Sequence, residues 1–260
     1  MTFQLSVSAE MVFRDHPIVE RVRRIHERGF AAEIWSWHDK DLAALARTGA
    51  TFTSMTGYLR GDLIDPASCN DVVRTAEESI EAAATLGVTR LNLHTAELVD
   101  GHAARPRGRA TGQMWLTAAR TLERLGELGA AAGVTFVVEN LNTIVDHPGV
   151  PLARAKDVLA LVEGVAHPNV KMMLDLYHAQ IGEGNLIELL RRCGDAIGEI
   201  QVADVPGRCE PGTGEINYPA IATALREMGY AGTIGMEAWA SGAGDAGSES
   251  ALDAFGAAFR

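Results

Sequence analysis

Short apolar runs recur along this chain at a spacing that few folds can accommodate. They fall at 5–8, 31–35, 50–55, 90–94, 135–138, 170–174, 197–202 and 233–236. Between them lie stretches with helical periodicity, at 17–28, 40–48, 70–86, 113–132, 153–162, 185–193 and 218–228, with a last one at 251–259. Gly29, Gly49, Gly87, Gly133 and Gly229 stand where such helices stop, which is where a left-handed residue closes a helix. One strand and one helix make a unit of about 30 residues, the length of a right-handed βαβ crossover. Strands that are apolar throughout belong to parallel sheets covered on both faces. Eight such units close into a ring, so the expectation is an α/β fold, a (β/α)8 TIM barrel, with residues 1–260 as a single domain. An open doubly wound sheet is the alternative, but it usually has fewer strands and a glycine-rich phosphate turn after the first. Here that turn reads Ala9-Glu10-Met11-Val12, and no GxGxxG or GxxxxGK occurs.

Composition narrows the partners. A hydrophobic content of 47% suits a soluble protein with a sizeable core, and a net charge of −11 argues against a nucleic-acid partner. Cys69, Cys193 and Cys209 are scattered, with no CxxC pair, which fits a reducing compartment. The first residues lack a basic stretch followed by an apolar run, and no segment is long and apolar enough to span a bilayer. The expectation is a cytoplasmic protein with no membrane partner. Residues 95–109, rich in Gly, Pro and Arg, read as a flap, and the Gly/Ser-rich 241–248 as mobile.

In a parallel barrel the C-terminal ends of all strands open onto one face, and sites are built there. Strands five to eight bring Glu139, Asp175, Gln201 and Glu237 to that rim, each one βα unit from the next. Any one of them could cap a helix or meet a lysine. Three carboxylates crowded together repel unless a cation sits among them. Three acids and an amide oxygen are hard donors, which suit Mn2+ or Mg2+ better than Zn2+. His178, three residues after Asp175, and His94, at the end of strand four, point toward the same rim. Arg208, in the loop after Gln201, could hold a carboxylate by two parallel hydrogen bonds. Trp35, Trp37 and Trp115 could wall a pocket, and Asn142, Glu183, Glu210 and Glu215 could order the loops.

The most specific stretch is Ile200-Gln-Val-Ala-Asp204-Val-Pro-Gly-Arg208-Cys-Glu-Pro-Gly-Thr-Gly-Glu-Ile-Asn-Tyr218. With Val-Val-Glu139-Asn, Met-Leu-Asp175-Leu-Tyr-His178 and Gly-Met-Glu237, it resembles the hydroxypyruvate isomerase family over essentially the whole chain. That family lies among the xylose isomerase-like TIM barrels, which include ketose 3-epimerases. The resemblance implies Glu139, Asp175, Gln201 and Glu237 as metal ligands and Glu139 and Glu237 as the catalytic acid/base pair. By the same resemblance His178 and Arg208 would contact substrate; His94 and Trp35 are further substrate-binding candidates from their place at the rim alone. The implied reaction is an aldose–ketose isomerisation of a small oxo- or hydroxy acid, hydroxypyruvate to tartronate semialdehyde being the reference case. It would run through an enediolate by proton transfer between the two glutamates. The alternatives are a 2-oxo-tetronate isomerase, a ketose 3-epimerase, a dehydratase or lyase using the same enolate, and a non-catalytic sugar-binding barrel. Glutamine at 201, where the epimerases usually have histidine, favours the isomerase branch. Abasic-site endonucleases share the barrel but need a histidine-rich zinc cluster and a basic groove. The loops Glu33-Ile-Trp-Ser-Trp-His-Asp39 and Asn92-Leu-His94-Thr95 depart from those of the isomerases, so chemistry transfers better than substrate. A homo-oligomer is the default by resemblance.

Overall fold

The computed structural model describes residues 2–260. Chain order gives β1 (Gln4–Ser8), α1 (Ile18–Glu27), β2 (Ala31–Glu33), α2 (Leu42–Ala46), β3 (Ser54–Thr56), α3 (Cys69–Leu86) and β4 (Arg90–Leu93). A two-stranded hairpin, β5 (Leu98–Val99) and β6 (His102–Ala103), precedes α4 (Gly112–Ala132) and β7 (Thr135–Glu139). Then follow α5 (Ala155–Val165), β8 (Val170–Asp175), α6 (Leu176–Gly182), α7 (Leu186–Cys193), β9 (Ile197–Val202), α8 (Tyr218–Glu227), β10 (Thr233–Met236) and α9 (Gly244–Phe259).

Eight strands pair in parallel in the order β2-β1-β10-β9-β8-β7-β4-β3. The ring closes between its ends through a bridge from Ala32 to Phe52, with Ala32 N donating to Thr51 O at 2.8 Å and Thr53 N to Ala32 O at 3.0 Å. The expected (β/α)8 TIM barrel is what forms. Phe136, Val137 and Val138 are each fully buried, so β7 is covered on both faces, as a barrel wall under helices must be. The helices stop where glycine enters the left-handed region, at Gly87 (φ 70°) after α3 and Gly133 (φ 72°) after α4. Register is what matters for function. Asp175 of β8 lies beside Gln201 of β9, and Gln201 beside Gly235 of β10.

Three local differences from the sequence reading have physical causes. Helix α6 starts in the residue after β8, capped by the Asp175 side chain, which accepts from His178 N at 2.9 Å; with no loop between strand and helix, periodicity hides it. Helix α9 begins at Gly244, not 251, and takes in most of the stretch read as mobile. Gly247 packs backbone to backbone on Gly242, and Ser248 Oγ accepts from Phe13 N at 2.8 Å. The flap contains the β5–β6 hairpin, tied down where Arg105 donates to buried Asp62 (3.0 Å) and to Ser68 Oγ (2.9 Å). No helix among the described residues is long and apolar enough to cross a membrane.

Candidate metal centre at the barrel mouth

Glu139 and Asp175 are the last residues of β7 and β8, Gln201 is the penultimate residue of β9, and Glu237 directly follows β10. Glu139, Asp175 and Gln201 are buried, and Glu237 is partly buried. A side-chain ladder aligns the first two strand ends: Asn140 Nδ2 donates to Asp175 O at 3.0 Å and Asp175 N to Asn140 Oδ1 at 2.9 Å. Glu139 is gripped by one oxygen, Oε2, which accepts from Asn92 Nδ2 (2.5 Å) and pairs with His94 Nε2 (3.1 Å). Burial pushes the Glu139 carboxyl up, but His94, His178 and Asn92 outweigh it and hold it down at about 2.

Gln201 is fixed from its amide nitrogen. Nε2 donates to Glu33 Oε2 at 2.7 Å, and Ser54 Oγ donates to the same oxygen at 2.9 Å. Gln201 Oε1 is left buried without a hydrogen-bond partner among the described residues. Only glycine fits opposite: a Cβ at Gly235 would stand 2.3 Å from Glu33 Oε1 and 2.8 Å from Gln201 Oε1. Burial, together with nearby Glu199, raises Glu33 well above the usual carboxylate range.

Glu237 differs, because both its oxygens accept hydrogen bonds. Oε1 accepts from Trp35 Nε1 at 2.6 Å and Oε2 from the Arg208 guanidinium at 2.5 Å. Burial works against the charge of Arg208, yet Glu237, Asp175 and Glu139 together raise its pKa further, so it stays a cation. Its guanidinium lies 5.2 Å over the Tyr177 ring, and its backbone is held at φ 54° between Asp204 O and Trp239 N. Asp204 is the hub of this loop, accepting from the backbone N–H groups of Val205, Gly212 and Ile216 at 2.9–3.0 Å.

The chain folds as a TIM barrel whose residues 19–257 match the family described as xylose isomerase-like TIM barrel. It belongs to that family. It is 32% identical over 249 residues to a 2-oxo-tetronate isomerase of Cupriavidus necator, covering 90% of this chain and 92% of that one. It is 33% identical over 132 residues to the hydroxypyruvate isomerase of Escherichia coli, about half of each chain at 51%. Among solved structures, one titled AP endonuclease, family 2, from Brucella melitensis superposes with a TM-score of 0.84 at 28% identity over 99% of both chains.

This xylose isomerase-like barrel brings together the residues named from sequence. Among the described residues, ligand atoms of Glu139, Asp175 and His178 all lie within 4.8 Å of one another, so the mouth can hold a metal ion. The donors still free suit one too: Glu139 Oε1, Asp175 Oδ2 and the orphaned Gln201 Oε1 are hard oxygens. Burial first, then Glu139, raises the Asp175 carboxyl, the like-charge conflict that a dication relieves. His94 and Trp35 reach the site through Glu139 and Glu237 respectively. Trp37 instead turns to α3, donating to Ser79 Oγ at 2.9 Å, and Trp115 packs on the core. Glu210 does order a loop, accepting from Ser241 N and Oγ, while Glu183 C-caps α6. Glu33, Asn92 and Trp239, which bond to Gln201, Glu139 and Arg208, are neighbours of the site that sequence reasoning missed. Glu33 had a signal, a carboxylate inside the apolar run Ala31-Ala-Glu-Ile-Trp35.

Proposed function

We propose that this chain is a divalent-cation-dependent isomerase of a small oxo-acid, moving a carbonyl between adjacent carbons of a substrate such as hydroxypyruvate. The chain is an enzyme of an isomerase family. The observation that carries the finer reading is the pairing at one mouth of two glutamates, Glu139 buried and Glu237 partly buried, with a partly buried cation, Arg208. A sugar-binding barrel needs no such pair.

Glu139, Asp175, Gln201 and Glu237 would hold the cation, Mn2+ or Mg2+ by their oxygen chemistry. Bound there, it would supply Lewis-acid polarisation of a carbonyl. The rest falls to side chains. One glutamate takes the proton from the carbon bearing the hydroxyl, and the other returns a proton to the former carbonyl carbon, while the hydroxyl proton passes between the two oxygens. The roles exchange in the reverse direction. Arg208 neutralises the substrate carboxylate, and Trp35 keeps the Glu237 carboxylate turned inward. A four-carbon 2-oxo-tetronate is the second reading, favoured by the relative in Cupriavidus necator, which matches over nearly its whole length. The endonuclease name of the Brucella structure does not transfer well to a chain of net charge −11.

The test is a substrate panel in D2O with Mn2+ or Mg2+ added, following hydroxypyruvate, 2-oxo-tetronates and free ketoses by NMR. Turnover of an oxo-acid with solvent deuterium in the product is expected, and Glu139→Gln or Glu237→Gln should abolish it while leaving the fold intact. Activity on free ketoses alone would replace this reading with an epimerase, and near-normal activity in either variant would remove the two-glutamate mechanism.

A further inference from the structure

His178 stands at a junction. Its side chain is fully buried, and Nε2 lies 3.8 Å from both Glu139 Oε1 and Asp175 Oδ2 with no hydrogen-bond partner among the described residues. It can serve the centre in two opposite ways: as a lone-pair donor to the cation, or as an N–H donor to substrate. The choice depends on which ring nitrogen carries the proton.

The other ring nitrogen settles this. Nδ1 lies 2.8 Å from Asn142 Nδ2. The orientation of that amide is fixed independently, because Asn142 Oδ1 accepts from Val145 N at 2.9 Å and Asp146 N at 3.1 Å. On the nitrogen side, Asn142 Nδ2 also donates to Asp146 Oδ2 at 2.6 Å, an oxygen that accepts from Tyr177 Oη as well. Flipping the amide would face an oxygen toward a carboxylate and its nitrogen toward two N–H groups. Both amide hydrogens are therefore committed, one to Asp146 and one to His178. An amide N–H can only be met by an unprotonated Nδ1, which leaves the ring proton on Nε2.

We infer that Asn142, held by Asp146, is a positioning residue that locks His178 as the Nε2–H tautomer, keeping it out of the metal's coordination and making it a hydrogen-bond donor to the substrate. The tautomer stands on geometry alone; that its proton meets a substrate oxygen rests on the isomerase reading. The lock would leave Gln201 Oε1, rather than His178, to complete the donor set with Glu139 and Asp175.

The test is ring-15N histidine NMR on chelator-stripped protein at pH 8, with His178 assigned by its disappearance in His178→Gln. The expected spectrum has an unprotonated Nδ1 and a protonated Nε2. Asn142→Asp, which presents an acceptor to Nδ1, should reverse the pattern. In Mn2+-loaded protein, pulsed EPR should find no directly bound imidazole nitrogen in the wild type and one in Asn142→Asp. A wild-type ring that is protonated on Nδ1, or averaged between tautomers, would overturn the lock, and the wild-type spectrum decides this even if the variant fails to fold. Nitrogen coupling in wild type that vanishes in His178→Gln would overturn the exclusion from the metal. The isomerase reading could fail in the substrate panel with all these signatures intact.

Discussion

Replacing Gly235 with alanine tests whether Gln201 is ready for a cation because Glu33 holds it. The new methyl would lie 2.3 Å from Glu33 Oε1 and 2.8 Å from Gln201 Oε1, where ordinary contact begins near 3.4 Å. The backbone cannot retreat, because Gly235 is in register with Ser6 on one side and Gln201 on the other. Its φ is not left-handed, so alanine meets a steric conflict and no backbone strain. The side chains must part, and the 2.7 Å bond from Gln201 to Glu33 is the contact between them. Overpacking of this kind costs about 1–3 kcal/mol. The lost hydrogen bond adds about 1 kcal/mol, the neutral-pair figure, since burial favours the protonated Glu33. A total of about 2–4 kcal/mol is expected in chemical denaturation of chelator-stripped protein. Mn2+ affinity by calorimetry should fall about 10–100-fold, as when the partner of a ligand is removed. Gly198→Ala is the control. Its methyl would also be crowded, 2.8 Å from Lys171 Cβ and Val137 Cγ1, but lies at the other end of β9. It should lose stability and keep its affinity. If Gly235→Ala is destabilised yet binds Mn2+ like wild type, Glu33 does not orient Gln201 and the reasoning fails.

Asp204→Asn should cost about 2–3 kcal/mol, because an NH2 group would replace one of two oxygens that face only backbone N–H donors; a denaturation shift below about 0.5 kcal/mol would show that the loop is held otherwise. Arg208→Ala should raise KM for an oxo-acid by at least about tenfold and also lower kcat, since Glu237 loses its partner. A KM increase equal to that for a neutral ketose would remove the carboxylate-anchoring role. An unreactive oxo-acid analogue should tighten Mn2+ binding and Mn2+ should tighten the analogue by the same factor, which paired titrations check; independent affinities would refute the coupling.

Much of this architecture was readable because one physical requirement, burial on both faces of a parallel sheet, writes itself into contiguous apolar runs. The four rim residues were legible for a related reason. Glu139, Asp175, Gln201 and Glu237 interrupt or end such runs on four consecutive strands, a repetition that capping one helix or meeting one lysine does not require. What was hidden depends on which residues meet across the barrel. The bonds from Glu33 to Gln201 and from Trp35 to Glu237 span 168 and 202 residues of chain and leave no local pattern. The first turns of helix α9, before 251, were hidden because glycines that read as flexible instead allow close backbone packing, at Gly242 and Gly247. Asn142 could be read as a loop-ordering residue, which its Oδ1 is; that its Nδ2 reaches His178 is visible only in three dimensions.

The centre follows a rule in which each donor commits one atom to the scaffold and keeps another free. Asp175 gives Oδ1 to the cap of α6 and keeps Oδ2. Glu139 gives Oε2 to Asn92 and His94 and keeps Oε1. Gln201 gives Nε2 to Glu33 and keeps Oε1. These three are preorganised, and a cation meeting them requires little reorientation. Glu237 breaks the rule, with both oxygens engaged, one by a cationic side chain that also suits a substrate carboxylate. On the proposed reading, a substrate carboxylate that draws Arg208 toward itself would relax the hold on Glu237 Oε2 and strengthen it as the fourth donor. On the proposed ligand set, three donors would belong to the fold and the fourth to the reaction, which is the physical basis for expecting cation and oxo-acid to bind cooperatively.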